Sequence, residues 1–298
     1  MAVQTKREIQ QLLADAGIRP NKRLGQHFLI DLNLMRLLVE SADIGSTDLV
    51  LEVGCGTGSL TEALAERACK VVAVEIDRIL AEIAARQLGS YRNVEVINRD
   101  ILANKNRIDP YVTQVLERAR QQCGGQLLLV ANLPYNAASS LMMNLVEGPV
   151  IADAMFVTVQ KEVAKRMTAS PGGSEYGSLG ILLGATGDTE MVRALPASVF
   201  WPQPRVESAM VSFVRDHDKA MQIEDISFLS DVIGLFIGHR RKTLKACVRF
   251  ASGRLARVKN WQDVFDRCSI DPTCRPQQLS PTDYVIVANI CQRLVGKT

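Results

Sequence analysis

Five short apolar runs, each with a polar residue at or near its end, constrain this chain more than any other feature in it. They are DLVLEV (48–53), KVVAVEI (70–76), NVEVINRD (93–100), QLLLVANL (126–133) and DAMFVTVQ (153–160). Between them lie stretches of helical periodicity around Ser59–Arg67, Ile79–Leu88, Tyr111–Gln122 and Ser139–Glu147. Strands that alternate with helices in this way build a parallel sheet covered by helices on both faces. Upstream, Ile9, Leu12, Leu13 and Ala16 fit a short amphipathic helix that Gly17 ends. The basic segment RPNKRLGQHFL then leads into a second helix near Leu32–Ser41.

Past residue 175 the pattern changes. GSLGILLGATGDTEMVRAL reads as helix running into strand, and ESAMVSFV (207–214) alternates as a strand after the turn FWPQPR. RDHDKAMQIED (215–225) reads as a linker, and 226–296 as short helices broken at Pro272, Pro276 and Pro281. With about one domain per 150 residues, the 298 residues divide into an α/β domain over 1–215 and a small α-helical domain over 216–298.

An apolar content of 47% suffices for a sizeable core, no window approaches a membrane span, and the N-terminus carries charges where a signal peptide would need an apolar stretch. The seven cysteines (55, 69, 123, 247, 268, 274 and 291) form no C-x-x-C pair and no secreted framework, so they read as reduced thiols of a cytoplasmic protein. His217 and His239 lack companion ligands, and no metal site is expected. The net charge of +3 is unevenly spread: Gly238–Lys259 holds Arg240, Arg241, Lys242, Lys245, Arg249, Arg254, Arg257 and Lys259 with no acid among them. Such asymmetry points to a polyanionic partner. Arg241, Lys245 and Arg249, spaced four apart, would share one helix face, and Lys22, Arg23, Lys161, Lys165 and Arg166 add bases from elsewhere. Phosphate contacts position a protein on RNA.

The strand ends carry the chemistry. Directly after the first strand comes Glu52-Val-Gly54-Cys-Gly56-Thr-Gly58, then helix. Glycines there admit positive φ and a close approach of backbone to ligand. Glu75 closes the second strand, where a carboxylate can accept both ribose hydroxyls of a nucleoside. Asp100 closes the third, placed for an adenine amine. GCGTG lacks the third glycine of the G-x-G-x-x-G dinucleotide fingerprint, which tilts the reading from NAD to S-adenosylmethionine.

Asn132-Leu-Pro134-Tyr135 ends the fourth strand. An exocyclic base nitrogen is a poor nucleophile because its lone pair is delocalised into the ring. The side-chain carbonyl of Asn132 and a backbone carbonyl fixed by Pro134 would accept from its N–H groups and stabilise the charge that develops on attack. Tyr135 offers a face for stacking a base taken out of its helix. Phe200, in the FWP turn, is a further candidate for stacking.

The chain resembles the ribosomal RNA adenine N6,N6-dimethyltransferases of the KsgA type. The resemblance rests on NKRLGQHFL (21–29), LEVGCGTGSLTEAL (51–64), VEID (74–77), RDIL (99–102), NLPYN (132–136), VQKEVAKRM (159–167), EYGSLGILL (175–183), VFWPQPRVESAMV (199–211) and GHRRKTLK (238–245). It implies a Rossmann-like class I methyltransferase sheet and cofactor contacts from His27, Leu29, Gly54, Glu75, Asp100 and Asn132, to which the glycine loop adds Gly56. Asn132, Pro134 and Tyr135 would be catalytic; Tyr135, Phe200, Lys22, Arg23, Arg240, Arg241, Lys242 and Lys245 would meet substrate. The implied reaction dimethylates N6 of two adjacent adenosines in the 3′-terminal hairpin loop of 16S rRNA, with a role in small-subunit biogenesis, by a monomer that uses S-adenosylmethionine and no metal. Position 27 is His where the family pattern usually has Asn, and Cys55 replaces a common Pro. The alternatives are an Erm-type 23S rRNA adenine methyltransferase, against which the VFWPQPRVESAMV and HRRKT blocks speak, and a non-catalytic assembly factor.

Overall fold

The computed structural model describes residues 4–296, the Lys22 side chain excepted. Helix α1 (Lys6–Asp15) starts at Thr5, which forms a reciprocal capping box with Glu8. Strand β1 (Phe28–Leu29) and α2 (Leu32–Ser41, capped by Asp31) follow. Then comes the expected alternation: β2 (Leu49–Val53), α3 (Ser59–Ala65), β3 (Lys70–Glu75), α4 (Arg78–Gln87) and β4 (Val94–Asn98). A hairpin of β5 (Leu102–Asn104) and β6 (Arg107–Ile108) interrupts it before α5 (Pro110–Gln122), β7 (Leu127–Asn132), α6 (Ala138–Glu147) and β8 (Ala154–Gln160). Helices α7 (Lys161–Met167) and α8 (Ser178–Thr186) precede β9 (Gly187–Leu195), β10 (Phe200–Trp201) and β11 (Ser208–Arg215).

Seven strands form one sheet in the order β4-β3-β2-β7-β8-β11-β9. Neighbours from β4 to β8 run parallel, and β11 lies antiparallel to β8, with Ser208 opposite Gln160 and Met210 opposite Thr158. All five residues of β2 are buried, as a central parallel strand requires. β1 and β10 form a separate two-stranded ladder, Phe28 opposite Trp201 and Leu29 opposite Phe200.

The chain divides into two compact units, one running to Ala164 and including Glu190–Val214, the other made of Lys165–Thr189 and the chain from Arg215 onward. The segment 165–189, assigned by sequence to the first domain, therefore belongs with the C-terminal helices. The cause is composition: α8 buries seven of its nine residues and packs on α10 (Ile226–Gly238) and α13 (Pro281–Val295). A helix apolar on every face needs cover all round. The second unit also holds α9 (His217–Met221), α11 (Leu244–Cys247) and α12 (Trp261–Cys268). The expected linker thus contains α9, pinned by Lys219 to Asp188 at 2.6 Å. The buried phenols of this unit are satisfied: Tyr176 donates to the Leu279 carbonyl and Tyr284 to that of Pro276, each at 2.9 Å. Among the described residues no helix is long and apolar enough to cross a membrane, and no group of three or more His, Cys, Asp or Glu could hold a metal ion.

One expectation about the cysteines is corrected. Cys69 and Cys123 form a disulfide with Cα atoms 6.0 Å apart, while the other five are free. Cys69 precedes β3 and Cys123 caps α5 ahead of β7. The bridge therefore spans the N-terminal edge of β2, opposite the strand ends that carry the motifs. A sequence separation of 54 residues hides this pairing from any spacing rule. Closing so long a loop stabilises a fold by about 2–4 kcal/mol. Reduction should lower the urea midpoint of the wild type and leave Cys69→Ser unaffected; equal midpoints with and without reductant would show that no bridge forms.

Candidate active site

Strand order reverses at β2, whose neighbours β3 and β7 lie on opposite sides. Loops leaving adjacent strand ends at such a point diverge and leave a crevice. Here the crevice is a cleft of about 1140 Å³ out to its open mouth. Its walls include His27, Leu29, Gly54, Gly56, Glu75, Asp100, Asn132, Pro134 and Tyr135. Residues expected singly from four strand ends and the N-terminal segment thus share one cavity.

The glycine turn is shaped by its backbone. Gly54, Gly56 and Gly58 have φ of 78°, 57° and 87°, values that L side chains rarely adopt. Space is also restricted: a Cβ on Gly56 would stand 2.9 Å from the Phe28 ring, and one on Gly54 3.2 Å from the Pro134 ring. The turn and the tip of β7 are therefore in close contact. The Gly56 amide donates to Glu75 Oε2 and the Asp77 amide to Glu75 Oε1, both at 2.9 Å. Glu75 is buried, and desolvation pushes its carboxyl up while those amides oppose the shift. Asp100 stands exposed at the rim, with Oδ1 accepting from the Leu102 amide at 3.0 Å.

Asn132 and Tyr135 are held by His27, expected only as a cofactor contact, and by Thr158 and Ser208, which the sequence did not single out. Asn132 Nδ2 donates to the His27 carbonyl at 2.7 Å, and its Oδ1 accepts from the Thr158 hydroxyl. Tyr135 shares a 2.9 Å hydrogen bond with the buried Ser208, and its ring stacks on His27 with centroids 5.5 Å apart. His27 Nδ1 donates to the Pro202 carbonyl at 2.6 Å. Pro134 also leads into the next helix. Its own carbonyl accepts the amides of Ala137 and Ala138, at 3.0 and 3.2 Å, and so starts α6. The backbone acceptor that its ring can hold rigid is the one preceding it, that of Leu133.

Other expected substrate contacts divide. Phe200 is corrected: it is 3% exposed, in the core with Leu29, Met35 and Met210, and has no face to offer RNA. The proposed stripe of Arg241, Lys245 and Arg249 is also corrected, since the chain turns between α10 and α11, and Arg249 lies in a separate 3-10 turn. All three remain exposed, as do Arg257 and Lys259. Arg240 donates to the Ser174 carbonyl at 2.8 Å, Lys242 lies 5.4 Å from the Phe250 ring, and Arg254 is tied to Asp225 and Asp231. Arg23 is exposed, Lys161 pairs with Glu207 at 2.7 Å, and the Lys22 side chain lies outside the described residues.

The fold and the cleft together define a class I methyltransferase. The chain matches the ribosomal RNA adenine dimethylase family over residues 17–289 and belongs to it. It is thus an S-adenosylmethionine-dependent rRNA adenine dimethyltransferase. A relative named ribosomal RNA small subunit methyltransferase A, from Pediococcus pentosaceus, is 37% identical, covering 94% of this chain and 93% of its own. That of Bacillus mycoides is 35% identical, covering 96% of both. Among solved structures, a dimethyladenosine transferase from Plasmodium falciparum is similar with a TM-score of 0.70 at 24% identity, covering 89% of this chain and 97% of that one. The 23S rRNA methyltransferase ErmE is similar at 0.59 and 22%, covering 88% and 98%. These two likenesses concern the fold.

Glu52, also in the cleft wall, was read only as part of the glycine motif. It is 2% exposed, and its Oε2 has no hydrogen-bond partner among the described residues. Desolvation, with the charge of Glu75 adding to it, pushes its carboxyl up to about 8. At neutral pH it is therefore protonated. A raised folded pKa contributes stability that is complete below the ordinary 4.5 and lost as pH rises through 8. Unfolding free energy should accordingly decline between about pH 4.5 and about pH 8 and level off above that, and Glu52→Gln should flatten that decline; superimposable pH profiles would refute the assignment.

Proposed function

We propose that this enzyme dimethylates N6 of two adjacent adenosines in the 3′-terminal hairpin loop of 16S rRNA, acting as a monomer on the small ribosomal subunit during its biogenesis. The names and near-complete coverage of the relatives support the small subunit as substrate. The observation that carries the chemistry is the amide of Asn132, held at both ends in a cleft walled by the glycine turn, Glu75 and Asp100.

The cleft fits S-adenosylmethionine. Each oxygen of Glu75 accepts one backbone amide, and an ionised carboxylate has about four lone-pair sites, so capacity remains for ribose hydroxyls. The unpartnered Oε2 of Glu52 offers a further polar group at the wall, and the left-handed glycines bring bare backbone to it. Asp100 would take the adenine amine at the rim, and His27 and Leu29 would complete the wall from the N-terminal segment. When bound, the cofactor supplies an electrophilic methyl group on a sulfonium centre.

The chain's own residues prepare the nucleophile. Asn132 Oδ1 accepts one hydrogen bond, from Thr158, and an amide oxygen has two lone pairs. The second lone pair and the Leu133 carbonyl would accept from the adenine N6–H groups, favour a pyramidal nitrogen and stabilise its developing charge. No strong general base is required. Tyr135 gives the flipped base a ring to stack on; burial pushes its phenol up, so it stays neutral. Arg23 in the first unit and Arg241, Lys245, Arg249, Arg257 and Lys259 in the second offer exposed cations for phosphates, with Arg240 and Lys242 beside them.

On small subunits lacking the modification, Asn132→Ala should lower the methyl-transfer rate by about 10²-fold while cofactor binding survives in part; an unchanged rate would remove Asn132 from the chemistry. Tyr135→Phe should retain more activity than Tyr135→Ala, and large subunits should be poor substrates. Reversing charge at Arg241 and Lys245 should weaken subunit binding and reduce its log–log salt slope by about 0.7–0.9 per lost phosphate contact. An unchanged slope would place the RNA on another face.

A further inference from the structure

Thr158 is a buried polar residue on β8, directly opposite Asn132 in the β7–β8 ladder and 1% exposed. Its hydroxyl touches Asn132 Oδ1. An amide oxygen carries no hydrogen, so Thr158 is the donor. Its backbone carbonyl meanwhile accepts the Leu133 amide at 3.1 Å. One residue of a neighbouring strand thus holds both the side chain and the backbone of the motif tip. From the geometry we infer that Thr158 is a positioning residue for methyl transfer, acting through Asn132; this rests on the role proposed for Asn132 above.

The argument concerns lone pairs. The amide of Asn132 is planar, and its oxygen offers two acceptor directions in that plane. Thr158 occupies one, which leaves a single direction for a substrate N–H. The Nδ2 bond to the His27 carbonyl holds the other end. With only that bond, the amide keeps one anchor and can swing about it, so its oxygen no longer meets the incoming amine in one orientation. Misplacement of a group that acts on the developing charge lowers the rate of the chemical step more than it lowers binding.

Valine and serine separate this role from packing. Thr158→Val keeps the shape and loses the hydroxyl, whereas Thr158→Ser keeps the hydroxyl and loses a methyl. The measurement is kcat and KM for methyl transfer to unmodified small subunits, with cofactor Kd and a thermal melt for each variant. T158V should show kcat about tenfold lower, as loss of one hydrogen bond near the reacting group predicts, with KM and Kd nearly unchanged. T158S should restore most of it, and T158V added to Asn132→Ala should cause no further loss. If T158V does not fold, Thr158→Ala compared with T158S isolates the same hydroxyl. A valine variant as active as the wild type or the serine variant, or a loss confined to KM or melting temperature, would overturn the inference. Full activity in Asn132→Ala would overturn the Asn132 reading and this one with it; loss there with a normal T158V would sink this one alone.

Discussion

The contact between the glycine turn and the tip of β7 is the constraint from which the site's geometry follows. A single methyl group on Gly54 would come within 3.2 Å of the Pro134 ring. Only bare backbone lets the two loops lie this close at the reversal of strand order. That closeness puts the walls expected to face the cofactor beside the amide expected to face the base. Methyl transfer demands such an arrangement, because donor and acceptor must meet in line within a few ångströms.

Holding the tip there falls to segments that meet only in the folded chain. The His27 carbonyl reaches Asn132 from 105 residues away in sequence, Thr158 from 26, and Ser208 reaches Tyr135 from 73. β11 is central to this, because its antiparallel pairing with β8 brings Ser208 beside the same sheet edge. The β1–β10 ladder does the same for His27, which immediately precedes β1 and donates to the carbonyl of Pro202, just after β10. The site is therefore rigid through tertiary pairing, and its loops alone would not fix it.

That division explains what the sequence made legible. Parallel strands are apolar on both faces, so β2, β3, β7 and β8 stood out, and the acids and Asn132 stood out against them as polar ends to apolar runs. Glu52 was hidden by the same logic: inside a run so apolar, it was absorbed into a motif name instead of being seen as a buried acid. Thr158 and Ser208 were invisible because a β-branched or small residue in a strand is ordinary, and only the folded sheet brings Thr158 to Asn132 and Ser208 to Tyr135. The Cys69–Cys123 pair and the membership of 165–189 likewise depend on contacts across long separations. The basic face was read as one helix because spacing of four fits a helix, but the turn after Gly238, where His239 stacks on Phe250 at 4.0 Å, breaks the register.

The same turn sorts the cations by task. Arg254 lies over Phe228 and bonds Asp225, Asp231 and Ser227, and Arg240 bonds the Ser174 carbonyl, so these two serve the second unit's own architecture. Arg241, Lys245, Arg249, Arg257 and Lys259 make no ion pair among the described residues. Exposed cations without partners contribute little to folding, yet each phosphate that one meets releases counterions. In the first unit Glu75 is buried, Asn132 and Tyr135 are half-buried, and all three are fixed by hydrogen bonds, which suits a reaction with one permitted geometry. A polyanion is better met by long, unpaired side chains, because its charge repeats along the backbone and tolerates many registers. Under the proposed function the chain would meet the two demands mainly in different units: an exact orientation for one amine in the first, and most of a broad electrostatic surface for the RNA in the second.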